Sequence, residues 1–528
     1  MTDEAELRSD TNSPAELAAA IVRAANIRGE TDMNQTALPE LPAFLQTREK
    51  SLFIDGAWRN SQSDGRIETR NPATGEVIAT LPDASKEDVD VAVAAARRAF
   101  EGEWSRFTPN DRHALIMKVL GVIEKHFEEL AIIETVDMGA PLSRTRSFWN
   151  YIDRCLRFFA TQTANTGGQT LPTSLPGGLM TMTLRAPVGV VGGILPWNGP
   201  LIGQLWVLAP ALATGCTVVL KPAAEASLSV LRMAELMTEA GVPKGVINVV
   251  TGRGSKSGAM LAEHQDVDRI AFTGSTETGR SIIKASATNI KRLQLELGGK
   301  SPDIVFADAD LDRAIPGAAM AVFANSGQVC YAGTRLFVQS SILPEFEERI
   351  ANFARTLKLG NGLEPDVALG PLISDKQLAS VMGYIDAGRE EGARLVAGGT
   401  KPGGALEAGA FLNPTVFSSV HNDMRIAREE IFGPVVSIIP FDTEAEALKL
   451  ANETPYGLGG GVWTQDIGKA MRMVQGIRAG TIWVNNYGAI DPSVGFGGVK
   501  ASGYGWKGGP QHVDAFLYQK SVYIGGLH

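Results

Sequence analysis

The sequence contains few of the residues that mark a disulfide-stabilised or metal-binding protein. Its 528 residues include only three cysteines and six histidines. Three thiols cannot form the disulfide framework of a small secreted fold, and so low a count is typical of a reducing compartment. The histidines are scattered in polar surroundings without the spacing of zinc ligands. We therefore predict no metal site and no cysteine–histidine hydrolase.

Long runs of basic residues and long apolar runs are also missing. The chain has 58 acidic against 49 basic residues and a formal net charge of −9, which argues against nucleic acid as the main partner. No apolar run is long enough to cross a bilayer, and residues 1–6 are acidic where a signal peptide would be basic. We expect a cytoplasmic protein without a membrane partner.

The order of predicted elements indicates an α/β protein of two or three domains. Apolar strands near 188–195, 217–220, 246–250, 269–272 and 292–295 alternate with helices near 201–213, 226–240, 255–263 and 276–287. This alternation predicts a parallel sheet covered on both faces. Two helical stretches, near 86–102 and 109–138, precede it, and a second alternating series follows Asp303, with helices near 312–325, 343–357 and 375–391. A short helix is also predicted over 14–22.

Cys330 is the candidate nucleophile. It follows a loop-like run, 325–328, that is unusual for a buried strand and favours an accessible thiol, although most cysteines are core residues. Cys155 and Cys216 lie in apolar contexts and are interpreted as core residues. Glu296 stands 34 residues before Cys330. A thiol can attack a carbonyl carbon and a carboxylate can activate water, so this pair predicts aldehyde oxidation through a thioester.

Three further features are ambiguous when taken singly. The run 274–279 (GSTETG) lies between a predicted strand and helix, where a phosphate can bind, but a capped turn explains it as well. Lys221 adds a cation at a strand end, where parallel sheets bind ligands, or is simply a solvated charge. The amide of Asn198, in ILPWNGP (194–200), can stabilise an oxyanion or cap the helix that follows it.

Several ordered runs resemble the signature blocks of the NAD(P)-dependent aldehyde dehydrogenase superfamily over about residues 50–528. They are PWN (196–198), FTGSTE (272–277), LELGGK (295–300), GQVC (327–330), EEIFGPV (429–435), WVN (483–485) and FGGVKASG (496–503). The resemblance implies that Cys330 is the nucleophile and Glu296 the general base. It also implies that Asn198 and the backbone N–H of Cys330 form the oxyanion hole.

The same resemblance implies a cofactor site for NAD. Lys221 would bind the adenosine ribose, Ser275 a phosphate and Glu430 the nicotinamide ribose. Ala224 stands where the family often has a ribose-binding glutamate, and Glu225 follows it, so NADP is also possible. The full set of implied cofactor residues is Trp197, Lys221, Glu225, Gly254, Gly274, Ser275, Glu430 and Phe432.

The family fold implies a Rossmann-like cofactor domain, an α/β catalytic domain and a β-hairpin oligomerisation arm. The expected boundaries are 49–168 with 188–298 for the cofactor domain, 299–500 for the catalytic domain, and 169–187 with 501–528 for the arm. Residues 1–48 are an N-terminal extension. The arm predicts a homodimer or homotetramer.

Gly199 and Gly203 stand where many aldehyde dehydrogenases have an aromatic and a bulky residue. Their lack of side chains predicts a wide tunnel lined by Trp206, Ile490 and Phe496, and hence a bulky, aromatic or hydrophobic aldehyde. Tyr331 could instead refill the space.

The resemblance has two further departures near the C-terminus. Gly495 replaces a common proline, and Trp506-Lys507 replaces Arg-Glu; we expect both to leave the catalytic assignments untouched. Two other functions stay open at this point: a CoA-acylating dehydrogenase, against which Glu296 argues, and an inactive structural relative.

Overall fold

The computed structural model describes residues 38–176 and 178–525. The helix predicted over 14–22 therefore lies outside the described residues. The strands, in chain order, are β1 Leu52–Ile54, β2 Ala57–Arg59, β3 Arg66–Arg70, β4 Val77–Pro82, β5 Thr170–Leu171, β6 Met180–Pro187, β7 Val190–Ile194, β8 Thr217–Lys221, β9 Ile247–Val249, β10 Arg269–Thr273, β11 Arg292–Glu296, β12 Pro302–Val305, β13 Arg335–Gln339, β14 Arg394–Ala397, β15 Thr415–Ser418, β16 Val435–Phe441, β17 Gly459–Trp463, β18 Thr481–Val484, β19 Gly503–Tyr504 and β20 Leu517–Ile524.

The α-helices surround these strands and connect most of the parallel ones. They are α1 Ala43–Gln46, α2 Lys86–Glu101, α3 Pro109–Lys125, α4 Phe127–Met138, α5 Leu142–Gln162, α6 Pro200–Gly203, α7 Leu205–Thr214, α8 Leu228–Glu239, α9 Ala259–Glu263, α10 Thr276–Ala285, α11 Leu311–Phe323, α12 Leu343–Thr356, α13 Asp375–Glu390, α14 Arg425–Arg428, α15 Glu444–Asn452, α16 Ile467–Gly476 and α17 Gly509–Asp514.

The first sheet has the order β19-β11-β10-β7-β8-β9-β1-β2. Its central strands, from β11 to β9, are parallel. Alternate residues of each strand enter different cores: Val191 and Val218 pack with one set of helices, Val190 and Val219 with another. A strand buried on both faces needs apolar residues at every position, which explains the continuous apolar runs of the sequence. The predicted α/β fold class is confirmed.

The second sheet has the order β14-β15-β16-β13-β12-β17-β18 and is parallel except for its edge pair β14–β15. It too separates two cores, with Ile304 and Phe337 on one face and Val305 and Leu336 on the other. Each fully buried aliphatic or phenyl side chain contributes about 1.5–3 kcal/mol relative to exposure. Each sheet is therefore stabilised by hydrophobic cores on its own two faces. A cleft can form where the two α/β units meet.

A small third sheet combines β5, β6 and β20. Leu517–Ile524 lies antiparallel to Met180–Pro187 along its full length. The segment just before β20 also contributes a strand to the first sheet, because β19 pairs with β11. The region 501–516, which we expected to belong to the arm, therefore reaches the first sheet.

Some helix predictions were wrong in detail. The stretch predicted over 109–138 is two helices that meet at His126, and the helix predicted over 201–213 is interrupted at Gln204. Gly203 directly precedes the break at Gln204, whereas no proline or glycine adjoins the break at His126. Leu142–Gln162 was not predicted, although Phe148, Ile152, Cys155 and Phe159 form a buried stripe at helical spacing. In the part of the chain that the structure describes, no helix has the length and apolar character to cross a membrane.

Candidate active site

A deep cleft of about 950 Å³ opens at the carboxyl ends of the first sheet. Ile194, Lys221, Thr273 and Glu296 are the last residues of β7, β8, β10 and β11, and all four line it. The chain passes outward from β7 to β8 and β9, then returns to β10 on the other side of β7. Such a reversal of strand order is where open α/β sheets bind ligands.

The structure brings together in this cleft all the residues that the sequence motifs implied for catalysis and cofactor binding. The catalytic candidates Cys330, Glu296 and Asn198 line it, as do Trp197, Lys221, Glu225, Gly254, Gly274, Ser275, Glu430 and Phe432. The second sheet and its loops supply Cys330, Glu430 and Phe432, so the cleft lies between the two α/β units.

Cys330 follows a tight left-handed turn. Asn325, Ser326 and Gly327 have φ angles of 54°, 55° and 74°. A Cβ on Gly327 would lie 2.0 Å from the carbonyl oxygen of Gly433, so only glycine permits this close approach. The turn presents a partly exposed thiol to the cleft. Burial, and next the carboxylate of Glu296, raise the pKa of the Cys330 thiol well above its usual value, whereas Lys507 lowers it.

Asn198 is locked to the same turn. Its side-chain amide donates to the carbonyl of Gln328 over 2.9 Å, and Asn325 donates back to the Asn198 carbonyl over 3.1 Å. A primary amide has two N–H groups, so one remains for a ligand oxygen. The helix-cap interpretation is not realised, because the residue before α6 is Gly199 and no side chain caps that helix.

Glu296 is almost completely buried, with 2% of its surface exposed. Its Oε2 lies 3.3 Å from the Nζ of Lys507, and its Oε1 is buried without a hydrogen-bond partner. A buried carboxylate oxygen without a donor is costly unless a ligand or water completes it. The free oxygen is therefore the one available for chemistry.

Lys507 is a neighbour of Glu296 that the sequence analysis did not place in the site. We expected the Trp506-Lys507 pair to leave the catalytic assignments untouched; those assignments stay as predicted, and the structure adds the contact between Lys507 and Glu296. Besides Glu296, its ammonium group donates to the Thr273 hydroxyl over 2.8 Å and lies 3.9 Å from the ring centroid of Trp206. The change from an acidic to a basic residue within a family motif was the available signal.

The end of the cleft nearest Cys330 is shaped by Glu430 and two aromatic rings. Glu430 Oε1 accepts the N–H of Gly299 over 3.3 Å, and a Cβ on Gly298 would collide with the same carboxylate at 2.1 Å. Burial is the main cause that raises the pKa of Glu430 to about 7. Phe432 has a left-handed φ of 57° and meets Trp197 edge to face with centroids 5.1 Å apart.

The far end of the cleft carries polar groups suited to a ribose and a phosphate. Lys221 is 3% exposed, and burial lowers its pKa to about 8, while Glu225 and Asp83 raise it. Glu225 is exposed at the rim. Ser275 is the N-cap of α10, where its hydroxyl accepts the N–H of Thr278 over 3.2 Å. The cap interpretation of Ser275 is thus realised, and Gly274, Ser275, Glu277 and Thr278 of the same turn line the cleft.

The predicted substrate residues gather on the other side of Cys330. Cys330, Tyr331 and Ile490 pack against a cluster that contains Phe496 and Trp483. Trp206 stacks on Phe496 with centroids 6.2 Å apart. The thiol therefore lies between the cleft and a group of aromatic side chains, Trp206, Trp483 and Phe496, which we call the aromatic wall.

The two glycines of this region border empty space. A Cβ on Gly199 would meet no atom within 4 Å, and one on Gly203 would meet only Pro196 at 3.8 Å. Tyr331 packs on Trp483 and Phe496 instead of refilling the volume beside these glycines.

The other two cysteines are fully buried, as expected for core residues. Burial raises the pKa of the Cys155 thiol to about 12, and burial also raises that of Cys216. Neither thiol lines the cleft.

A cleft at the switch point of a parallel sheet, with a thiol beside a buried carboxylate, defines a class of α/β enzyme that combines a nucleotide site with covalent catalysis. Comparison with known proteins gives its family. The chain matches the aldehyde dehydrogenase family over residues 58–522. An aldehyde dehydrogenase of Emericella nidulans is 43% identical over 485 residues, which are 92% of this chain and 97% of that protein.

Two further comparisons agree with this match. Cytosolic aldehyde dehydrogenase 1 of Rattus norvegicus is 43% identical over 492 residues, again 92% and 97% of the two chains. The crystal structure of betaine aldehyde dehydrogenase from Staphylococcus aureus in complex with NAD+ has a TM-score of 0.89 at 39% identity, covering 93% of this chain and 97% of that chain. The chain belongs to the aldehyde dehydrogenase family and is an NAD(P)-dependent aldehyde dehydrogenase.

Proposed function

We propose that the enzyme oxidises a bulky, neutral, hydrophobic aldehyde to its carboxylic acid with NAD, through a thioester on Cys330. One observation carries the proposal: Cys330 lies between the nucleotide cleft and an aromatic wall, with the Glu296 carboxylate beside it. Substrate and cofactor can thus approach one sulfur atom from opposite sides.

The cleft fits a dinucleotide. Its volume of about 950 Å³ and its place at the switch point suit an extended ligand with two riboses. Gly298 leaves room for the Glu430 carboxylate at this cleft. Lys221 and Ser275 would hold the adenosine half, and Glu430 and Phe432 the nicotinamide half. Bound NAD supplies the hydride acceptor. The buried Lys221 with Glu225 at the rim favours NAD and still permits NADP.

Each residue around the thiol has its own role in the reaction. The Cys330 thiol releases its proton to solvent in the cleft as its sulfur bonds to the carbonyl carbon. The free N–H of Asn198 and the backbone N–H of Cys330 stabilise the oxygen that becomes negative, an effect worth about 3–4 kcal/mol. After oxidation, Glu296 takes a proton from water as the water oxygen bonds to the thioester carbon. The acid leaves and the sulfur returns as thiolate.

The open volume beside Gly199 and Gly203 supports a large substrate, because a small aldehyde would be held loosely next to Cys330. The ammonium of Lys507 already lies 3.9 Å from the ring centroid of Trp206. A second positive charge near this ring would be repelled, which disfavours quaternary ammonium aldehydes such as betaine aldehyde. The substrate is therefore neutral.

A panel of aldehydes tests this substrate class. We expect kcat/KM to be higher for phenylacetaldehyde and decanal than for acetaldehyde or betaine aldehyde. A preference for either of the small aldehydes would contradict the proposal. The same assays with and without CoA identify the acyl acceptor: a free acid at an unchanged rate supports hydrolysis, whereas acyl-CoA would support the acylating alternative.

We also infer a homo-oligomer in the cytoplasm. The arm sheet exposes Leu171, Leu184, Tyr523 and Ile524, which are unfavourable in water unless a second copy covers them. All three thiols are free, which suits a reducing compartment. Light scattering during size-exclusion chromatography measures the mass, and a monomer would contradict the assignment of the arm.

A further inference from the structure

Lys507 is held deep in the site by the C-terminal segment. Its side chain is 6% exposed, and its Nζ reaches Glu296 Oε2 at 3.3 Å and Thr273 Oγ1 at 2.8 Å. The side chain also packs on the face of Trp206. This lysine therefore contacts the proposed base Glu296, Thr273 in the wall of the cleft, and Trp206 in the aromatic wall.

The backbone on both sides of Lys507 is fixed. Lys507 and Phe496 exchange two backbone hydrogen bonds of 2.7 Å. The side chain of Gln294, two residues before Glu296 on β11, donates to the carbonyl of Trp506 over 2.8 Å, and Gly508 donates to His512. The ammonium group is thus built into the site, in contrast to a flexible surface lysine.

Stability alone does not explain this arrangement. Taking a lysine and a glutamate out of water costs several kcal/mol for each ion, and their attraction often does no more than offset that cost. A catalytic need does explain it. A thiolate that forms at Cys330 during the reaction is repelled by the Glu296 carboxylate in a low-dielectric site, and among the described residues Lys507 is the cation in contact with Glu296.

We propose that Lys507 is a positioning residue for thioester hydrolysis: it binds Oε2 of Glu296, so that Oε1 is the oxygen that receives the proton from water. The proposal rests on the function of Glu296 proposed above. Two contacts carry it, the Lys507–Oε2 pair and the buried Oε1 that has no partner. Burial lowers the pKa of the Lys507 ammonium group, whereas Glu296 and Cys330 raise it. In this role Lys507 acts through Glu296 and does not touch the substrate.

Other titratable groups around the pair belong to the same electrostatic system. Cys330 and Tyr331 lie near Glu296. Burial is the main cause that raises the pKa of the Cys330 thiol and of the Tyr331 phenol, and the Glu296 carboxylate raises both further. Glu430 faces the same cleft, and burial, with a smaller contribution from Glu296, raises its pKa as well. Burial, then Arg269 and Lys507, keeps the pKa of His512 well below its usual value, so this ring stays neutral.

The test separates the first turnover from later ones. In Lys507→Met, one equivalent of NADH should still form per active site, more slowly than in the wild type because Lys507 no longer lowers the pKa of the Cys330 thiol. Steady-state kcat should fall further, about tenfold to a hundredfold, because hydrolysis is slow. Lys507→Gln should behave like Lys507→Met, and Lys507→Arg should restore kcat, because its guanidinium can still bind Oε2. Lys507→Gln carries the test if the methionine variant does not fold.

Matched variants make the outcomes distinct. Lys500→Met removes an exposed lysine of the same segment and should leave both phases unchanged. The double variant Glu296→Gln/Lys507→Met should stall as Glu296→Gln does, without further loss. A wild-type kcat in Lys507→Met, a lost burst, or extra loss in the double variant would overturn the role of Lys507. If Glu296→Gln itself did not stall, the proposed role of Glu296 would fail instead.

Discussion

Glu296 and Glu430 both face the same cleft, but different neighbours hold them. Glu296 lies against the buried ammonium of Lys507, whereas Glu430 accepts the backbone N–H of Gly299 and has no ion-pair partner among the described residues. Burial raises the pKa of Glu430 to about 7. One carboxylate has a cation that favours its anion, and the other does not. The surroundings of a carboxylate, more than its residue type, therefore decide whether it is suited to accept a proton or to bind hydroxyl groups.

The largest expected effect removes the thiol that both carboxylates serve. Cys330→Ala should lower steady-state turnover by more than about a thousandfold, because no thioester can form. Binding of NAD, measured by quenching of protein fluorescence, should stay close to normal. Cys155→Ala and Cys216→Ala are the matched controls and should retain most activity. Substantial turnover by the Cys330 variant would show that another group is the nucleophile.

Replacing the second carboxylate should affect cofactor binding more than hydrolysis. Glu430→Gln should raise the KM for NAD about tenfold, because hydrogen bonds to a charged acceptor are stronger than those to a neutral one. It should not stall after one turnover. A variant that releases one equivalent of NADH and then stops would assign Glu430 to the same step as Glu296 and remove the contrast between them.

The two carboxylates should also differ in their pH dependence. Since the pKa of Glu430 is raised to about 7, its carboxyl group is protonated below that pH and ionised above it. The KM for NAD should therefore increase as the pH falls through about 7, and Glu430→Gln should abolish that dependence. Initial rates at saturating aldehyde over pH 5.5–8.5 measure it. A flat profile in the wild type would show that Glu430 does not contact the cofactor in its ionised form.

A smaller effect is expected on the aromatic side of Cys330. Gly199→Phe should fill open space and lower kcat/KM for a ring-bearing aldehyde about tenfold relative to acetaldehyde. Gly121→Ala, at a position of α3 where an added Cβ also meets nothing within 4 Å, is the control and should leave the ratio unchanged. An unchanged ratio in Gly199→Phe would place the substrate elsewhere.

The sequence was informative where chemistry depends on neighbouring residues. The sequence indicated Cys330 through the loop-like run before it, and Glu296 through the glycine-containing run that follows it. Both signals lie within a few residues of the side chain concerned. The alternation of strands and helices predicted the first parallel sheet, in which Glu296 ends a strand, and the second α/β unit brings Cys330 to it. Gly298 and Gly327 belong to the same local runs, and the structure adds the close contacts that require them.

Lys507 could not be placed in this way. It follows Glu296 by 211 positions and reaches it only because β19 pairs with β11 and because Lys507 pairs with Phe496. Such contacts depend on tertiary structure, and no local pattern encodes them. The break at His126 also lacks a local signal, since no proline or glycine adjoins it, whereas Gly203 directly precedes the break at Gln204.

The most direct test of the account is a rapid-mixing experiment on Glu296→Gln, with NADH followed by absorbance. If Cys330 forms the thioester and Glu296 activates water, the variant releases about one equivalent of NADH per active site and then nearly stops. Acid quenching should then recover the acyl group bound to Cys330. Steady turnover at the wild-type rate, or no first equivalent of NADH in a variant that still binds NAD, would contradict the assignment of hydrolysis to Glu296.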